Sequence, residues 1–130
     1  MPNILFPNEW LDINDKLTSD NEQYQLILQP DGNLVLYRQG YPHGLWSSST
    51  KDAIRAIMKS DGNFVLYGYR DQPLWASGTS GANGSFLVLQ NDGNLVIYRP
   101  NIQEWTSDTA SSMAASDKSF TRIFAPKYLS

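Results

Sequence analysis

The 130-residue sequence predicts a single all-β domain in which three similar units close around a pseudo-threefold axis. A ten-residue stretch recurs as LQPDGNLVLY, MKSDGNFVLY and LQNDGNLVIY, starting at residues 28, 58 and 89. The segments are rich in β-branched and aromatic residues, and no long stripe of helical period survives. Repeats of this length typically pack against one another, because one unit cannot bury its apolar side alone. Each copy is followed by a tryptophan and, two positions later, a serine; the tryptophans are Trp46, Trp75 and Trp105.

The composition restricts the possible partners. Hydrophobic residues make up 41% and aromatic residues 12%, which is typical of a soluble globular chain rich in strands. Ten scattered basic residues against 13 acidic ones argue against a nucleic-acid partner. The sequence shows neither an apolar run of bilayer length nor a signal peptide at its start, which predicts no membrane insertion and favours a cytoplasmic or non-classically secreted protein without fixing the location. Without cysteine it forms no disulfide and no thiolate metal site.

The Asp-Gly pair of each copy predicts a β-hairpin, and the sidedness of its strands selects the loop. A two-residue loop of Asp31 and Gly32 would mix polar and apolar residues on both faces. A three-residue loop, residues 30–32 with Gly32 at positive φ, pairs Gln29 with Asn33 and separates the faces. All three copies separate polar from apolar residues in this register. Their apolar faces, with the three tryptophans, are predicted to build the core: Leu26, Leu28, Leu34, Leu36, Ala56, Met58, Phe64, Leu66, Leu87, Leu89, Leu95 and Ile97.

The other face of each hairpin combines polar residues with a valine and a tyrosine and is predicted to point outward. The Asp and Asn could simply be turn residues that bond the local backbone. That account does not explain the Gln before the turn or the Tyr four residues after the Asn, so a turn-only role and a ligand site both stay open. Chemically the set suits a neutral polyol, since it combines carboxylate acceptors, amides, a hydroxyl and a small apolar patch.

The motif Gln-x-Asp-x-Asn-x-Val-x-Tyr, repeated about every 30 residues with a Trp-x-Ser after each copy, resembles the bulb-type lectins, the snowdrop-agglutinin-related mannose-binding family. The resemblance covers roughly residues 4 to 109. It implies a type II β-prism of three four-stranded antiparallel sheets, with one shallow mannose site on each sheet and no cofactor. A lectin domain is expected over residues 1–109, with repeats at about 23–50, 53–79 and 84–109.

The resemblance also implies a role for each motif residue. In that family the Asp and Asn contact the axial 2-hydroxyl of mannose, the Gln a neighbouring hydroxyl, the Tyr the 4-hydroxyl and the Val the ring carbons. Site one is thus predicted at Gln29, Asp31, Asn33, Val35 and Tyr37. Site three is predicted at Gln90, Asp92, Asn94, Val96 and Tyr98. Site two departs from the motif, since a lysine that donates but cannot accept replaces the Gln: Lys59, Asp61, Asn63, Val65 and Tyr67. The lysine could pair with the Asp and close the pocket, but a solvated lysine on a decayed site is the favoured interpretation.

Two further expectations come from the resemblance. Secreted relatives often carry a disulfide whose positions correspond here to Gly32 and, by offset, Ile54; its absence fits a cytoplasmic or microbial relative. Residues 110–130 form a C-terminal extension, with a strand-like piece at 120–125 and either a short helical turn or a loop at 111–119. Because relatives often exchange a C-terminal strand between subunits, this extension is predicted to hold a homodimer.

Other functions are less well supported by the residues. The only histidine, His43, lies in a GYPHGLW loop, and the motif aspartates belong to different units, so no acid and base for an enzyme are expected. The DGN turns lack the carboxylates of a calcium loop, so no metal is expected. A β-trefoil would need longer repeats and a Gln-x-Trp signature. The serious alternative is a lectin scaffold used for protein contact, a toxin-like or bacteriocin-like module with partly decayed sugar sites; two complete motifs favour retained sugar binding.

Overall fold

The computed structural model describes residues 2–100 and 120–124, and within them the predicted three four-stranded antiparallel sheets are confirmed. Sheet one has the strand order β3-β4-β5-β6, sheet two β2-β7-β8-β9 and sheet three β1-β10-β11-β12. The strands are β1 Ile4–Leu5, β2 Trp10–Asp12, β3 Lys16–Thr18, β4 Tyr24–Leu28, β5 Leu34–Arg38, β6 Trp46–Ser47, β7 Arg55–Met58, β8 Phe64–Tyr67, β9 Pro73–Ala76, β10 Phe86–Leu89, β11 Leu95–Pro100 and β12 Phe120–Phe124. Nothing in this part of the chain forms a helix that could cross a membrane.

The two central strands of each sheet are the predicted repeat hairpin, in the predicted register. In sheet one, Leu28 pairs with Leu34 and Leu26 with Leu36. The three-residue loop is closed by the Gln29 amide, which donates to the Asn33 carbonyl at 2.9 Å. Copies two and three repeat both the pairing and this closing bond. The sidedness of the sequence was therefore sufficient to fix the register.

The apolar faces of the hairpins meet in one core, as predicted. Its hairpin leucines and Phe64 are fully buried, and the side chains that fill the core come from all three sheets. The tryptophans differ from the expectation, because Trp46 and Trp75 are only half-buried and pack against the margin of this core. Their rings meet edge to face with centroids 5.8 Å apart. Trp105 lies outside the described residues.

The N-terminal segment supplies the first strand of every sheet. β1 pairs with β10, β2 with β7 and β3 with β4, so residues 4–18 pass along all three sheets in turn. One buried leucine from each strand points inward, and these leucines are six residues apart: Leu5, Leu11 and Leu17. Between them the chain turns at Asn8 and Asn14, both with left-handed backbone (φ 71° and 74°) that Asn tolerates better than most residues. A short, regular spiral thus ties the three sheets together.

The turn glycines allow close approach of neighbouring loops. Gly32 has φ 84°, and a Cβ on it would lie 2.0 Å from the Asp52 backbone nitrogen. The Asp52 amide donates to the Asp31 carbonyl at 3.1 Å. Gly32 thus faces the backbone of Asp52 and Ala53, close in the chain to Ile54. A direct backbone contact joins these two segments of the chain.

The fourth strand of each sheet has two different origins. In sheets one and two it is the tryptophan-bearing strand of the same repeat, β6 or β9. In sheet three it is β12, the strand-like piece expected in the C-terminal extension, which pairs with β11 of its own chain. The segment at 111–119 lies outside the described residues.

Candidate functional site

Site one is a cavity of about 410 Å³ on the outer face of sheet one. Four of the five predicted residues line its wall: Val35 and Tyr37 from β5, and Gln29 and Asn33, which flank the turn between β4 and β5. The fifth, Asp31, is exposed in the turn beside them. The far side of the cavity, which the motif did not reveal, is formed by the segment before and within β6: Gly44, Leu45, Trp46 and Ser47.

The Gln and Tyr of site one are joined by a hydrogen bond from Gln29 Nε2 to the Tyr37 hydroxyl oxygen. The hydroxyl accepts this bond, so its own hydrogen is left to donate to another acceptor. Gln29 keeps its amide oxygen as an acceptor. Site three contains the same bond between Gln90 and Tyr98. The two complete motifs therefore share one arrangement of donors and acceptors at this end of the site.

The motif Asp has the same local role in all three copies. Its Oδ1 accepts the backbone amide of the motif Asn, at 2.9 Å in each of Asn33, Asn63 and Asn94. This is the turn role that the sequence left open, and it occupies one carboxylate oxygen. A carboxylate has several further lone pairs, so the turn bond leaves acceptor capacity in the same group. The turn role and a ligand role are thus compatible.

The motif Asn is held by the segment after the tryptophan. In copy one, Asn33 Oδ1 accepts from the Thr50 backbone amide at 3.2 Å and lies 3.2 Å from the Ser48 hydroxyl, which donates to it. The Thr50 hydroxyl donates to the Gly32 carbonyl at 2.7 Å. We call these two residues the Ser/Thr clamp of copy one. Ser48 is the serine of the Trp-x-Ser pattern, to which the sequence assigned no role, and Thr50 had not been singled out, although Trp-x-Ser-x-Thr follows every copy of the motif.

The motif valines are less exposed than the predicted outward face implies. Val35, Val65 and Val96 have exposed fractions of 6%, 3% and 0%. In site one a Cβ on Gly44 would lie 2.7 Å from Val35 Cγ1, so the backbone at Gly44 lies directly against this valine. The prediction that the whole mixed face points to solvent is therefore wrong for the valines. Val35 nevertheless lines the cavity of site one.

Site two has the same turn but a different polar set. Lys59 Nζ lies 3.9 Å from Asp61 Oδ2, so the ion pair that the sequence left as the less favoured alternative is formed. Both side chains are 40% or more exposed, so the ion pair adds little stability. Lysine has no acceptor, and in the described residues nothing repeats the Gln-to-Tyr hydrogen bond at Tyr67. The cation therefore engages the carboxylate that would otherwise accept from a ligand.

Site three is complete in its motif, but part of its surroundings lies beyond the described residues. Asn94 Oδ1 is buried and has no hydrogen-bond partner among them. The sequence of copy three also contains Trp-x-Ser-x-Thr, at residues 105 to 109, outside the described ranges.

Other chemistry finds no support in this part of the chain. Within residues 2–100 and 120–124, no group of three or more His, Asp or Glu side chains could hold a metal ion. His43 is exposed in its loop, and Asp31, Asp61 and Asp92 follow hairpin strands of three different sheets.

Comparisons with known proteins identify relatives of this chain. No protein-family model matches the chain. A B-type lectin, plumieribetin from Scorpaena plumieri, is 37% identical over 110 residues, which are 82% of this chain and 95% of that protein. A mannose-specific lectin from Aloe arborescens is 39% identical over 112 residues, which are 82% of this chain and 97% of that protein.

The chain belongs to the bulb-type lectin family.

Solved structures place this lectin in the same fold. The mannose-specific agglutinin from snowdrop (Galanthus nivalis) bulbs, complexed with methyl-α-D-mannoside, superposes with a TM-score of 0.67 at 35% identity, covering 82% of this chain and 96% of that one. The fold is the type II β-prism that the resemblance implied, and the lectin is a carbohydrate-binding protein rather than an enzyme.

Proposed function

We propose that this lectin binds mannose and mannose-containing glycans through sites one and three. The observation that carries the proposal is site one, where an open cavity combines the motif Asn and the hydrogen-bonded Gln and Tyr with the apolar side chain of Val35. A relative whose structure contains methyl-α-D-mannoside has the same fold.

The chemistry of site one matches a sugar with hydroxyl groups on one face. Asp31 accepts, while Tyr37 and Asn33 retain donors. Val35 and Leu45 supply apolar surface for C–H groups of a sugar ring. None of the eight residues that line the cavity is charged, which favours a neutral sugar over a phosphorylated one.

We expect tight binding when one glycan occupies two sites at once. Sites one and three lie on different sheets, so one chain presents two shallow sites in different directions. Linking two weak sites to one branched glycan makes the second binding event intramolecular and raises the overall avidity. Branched mannans are therefore the ligands we expect this lectin to hold most strongly.

The test of this function is retention on immobilised mannan. The double variant Asn33→Ala with Asn94→Ala is expected to pass through the column, because each substitution removes the amide of one site. The single variant Asn63→Ala is the matched control, since it removes the equivalent amide from site two and should leave retention unchanged. Retention of the double variant, or no retention of the unmodified chain, would contradict the proposal.

We further propose that the lectin is a homodimer held by its C-terminal extension. β12 is the outermost strand of sheet three, and residues 101–119 connect it to β11. A connection of this length also lets a strand reach the same position in a second subunit, a low-cost route to a dimer. The intact chain of 14.6 kDa is expected to elute at twice that mass in gel filtration. A chain ending at Ser107 should elute as a monomer, and an unchanged dimer would contradict the proposal.

A further inference from the structure

The amide orientation of Asn33 is fixed by a group that can only donate. The Thr50 backbone N–H points at the Asn33 side chain at 3.2 Å, and a backbone amide has no acceptor role. The side-chain atom that faces it must therefore be the oxygen, whatever convention is used to place amide atoms. Asn33 Nδ2, with both of its hydrogens, is left on the opposite side.

The second copy repeats this arrangement independently. Asn63 Oδ1 accepts from two backbone amides, those of Gly78 at 3.0 Å and Thr79 at 3.3 Å. The Thr79 hydroxyl donates to the Gly62 carbonyl at 2.6 Å, against 2.7 Å for Thr50 and Gly32. Ser77 bonds the amide oxygen of Asn63 at the 3.2 Å found for Ser48 and Asn33. Two separate stretches of chain thus fix the motif Asn in the same orientation.

The clamp threonine is what holds the donating backbone in place. Thr50 Oγ1 donates to the Gly32 carbonyl, so the segment after β6 is attached to the turn that precedes Asn33. The same hydroxyl lies 2.8 Å from the Ser48 hydroxyl. Ser48 in turn accepts the Leu34 backbone amide at 3.1 Å. Without Oγ1, the Thr50 amide would lose its anchor and Asn33 its fixed orientation.

The fixed orientation of Asn33 determines which groups of site one donate hydrogen bonds to a ligand and which accept them. The clamp holds the Asn33 oxygen on its own side, so the group left for a ligand is Nδ2 with its hydrogens, whereas the Asp31 carboxylate offers only acceptors. A single ligand hydroxyl that contacts both residues must accept from Asn33 and donate to Asp31. We propose that Ser48 and Thr50 are positioning residues of site one. By holding Asn33 in one orientation, they require a bound sugar hydroxyl to accept from Asn33 and to donate to Asp31. The inference rests on the proposed sugar-binding function.

The expected effect is of the size of one hydrogen bond. A net contribution of about 0.5 to 1.5 kcal/mol corresponds to a change of roughly twofold to tenfold in affinity. We therefore expect Thr50→Val to weaken binding of methyl α-mannoside at site one by about fivefold. Val keeps the shape of Thr and removes only the hydroxyl, so packing is preserved.

The experiment is a titration followed by NMR of the side-chain amides, which reports site one through Asn33 and site three through Asn94 in the same sample. Thr50→Val should weaken site one alone and move the two Asn33 amide proton shifts toward the values of a solvent-exposed asparagine, as expected when the group is no longer held in one orientation. Thr50→Ser, which keeps the hydroxyl, should restore both values. Thr79→Val is the matched control, since it makes the same change in copy two and should alter neither site.

The outcomes separate this inference from the function it rests on. If the unmodified chain binds at site one and Thr50→Val binds equally well with an unchanged Asn33 amide signal, the positioning role is wrong and the function stands. If Thr50→Ser fails to restore binding, the loss comes from side-chain shape and the role is likewise wrong. If the unmodified chain shows no shifts with sugar, the proposed function fails, and this inference fails with it.

Discussion

Sites one and two share one scaffold but differ in the polar group before the turn. Both have the three-residue loop, the Asp-to-backbone bond at 2.9 Å and a Ser/Thr clamp with nearly equal distances. Site one adds the bond from Gln29 to Tyr37, while site two places Lys59 beside Asp61. The turn and its clamp are therefore independent of the Gln, because both persist in site two, where the Gln is replaced by Lys59.

The comparison separates two kinds of residue within one nine-residue motif. Gly and the backbone-bonding Asp serve the hairpin in every copy, and replacing them would disturb the structure. The Gln side chain and the Tyr hydroxyl bond each other, and no bond from either to the backbone is seen in the described residues of sites one and three. Their presence is the better marker of a working sugar site.

The largest effect is expected when site one is given the residue of site two. Gln29→Lys removes the donor to Tyr37 and adds a cation beside Asp31, so site one should lose at least about tenfold in affinity, or about 1.4 kcal/mol. Calorimetric titration with methyl α-mannoside should then count one site per chain instead of two. Gln23→Lys, an exposed change of equal charge, is the control. Two remaining sites in Gln29→Lys would show that the Gln is dispensable.

The reverse exchange tests whether Lys59 is the residue that weakens site two. Lys59→Gln removes the cation from Asp61 and restores a donor for Tyr67, while the turn and clamp of copy two are already in place. The number of binding sites per chain is expected to rise from two to three in the same titration. A count that stays at two would mean that another residue closes site two, for which Pro73, paired with Tyr67 in β9, is the first candidate.

A smaller effect is expected from the wall of site one. Gly44 lies two residues before Trp46, where copy two has Pro73 before Trp75. Gly44→Ala would place a Cβ 2.7 Å from Val35 Cγ1 and push the loop or the valine toward the cavity. We expect a loss of about threefold at site one, less than 1 kcal/mol, with site three unchanged. Amide NMR resolves the two sites, and equal weakening of both would indicate a general loss of folding instead.

The sequence predicts the hairpins well because their signals are local. Alternation of apolar and polar residues across the Asp-Gly turn allows only one register, and the turn needs Gly32 at positive φ. Four of the five residues of site one line its cavity because a hairpin in this register places Gln29, Asn33, Val35 and Tyr37 side by side. The two-residue period of a strand is therefore nearly sufficient to predict these four residues of site one.

The features that escaped prediction depend on residues distant in the chain. β1, β2 and β3 are only two or three residues long, and each pairs with a different sheet, so no alternation develops within them. The six-residue spacing of Leu5, Leu11 and Leu17 is a signal that could have revealed them. Burial of the valines depends on neighbouring strands, which one hairpin does not show. The Trp-x-Ser-x-Thr pattern is present in the sequence, but the role of its hydroxyls depends on the fold, which brings this segment back beside the turn.

The N-terminal spiral also constrains the order in which the chain can fold. β1 pairs with β10, so Ile4 finds its partner Val88 only after the third repeat has left the ribosome. β3 can pair with β4 almost at once, because its partner follows directly in the chain. Contacts between distant segments form slowly, since the loop that joins them must first be closed. Until β1 pairs with β10, this edge of sheet three is unpaired. The nascent chain is then most susceptible to mispairing and aggregation.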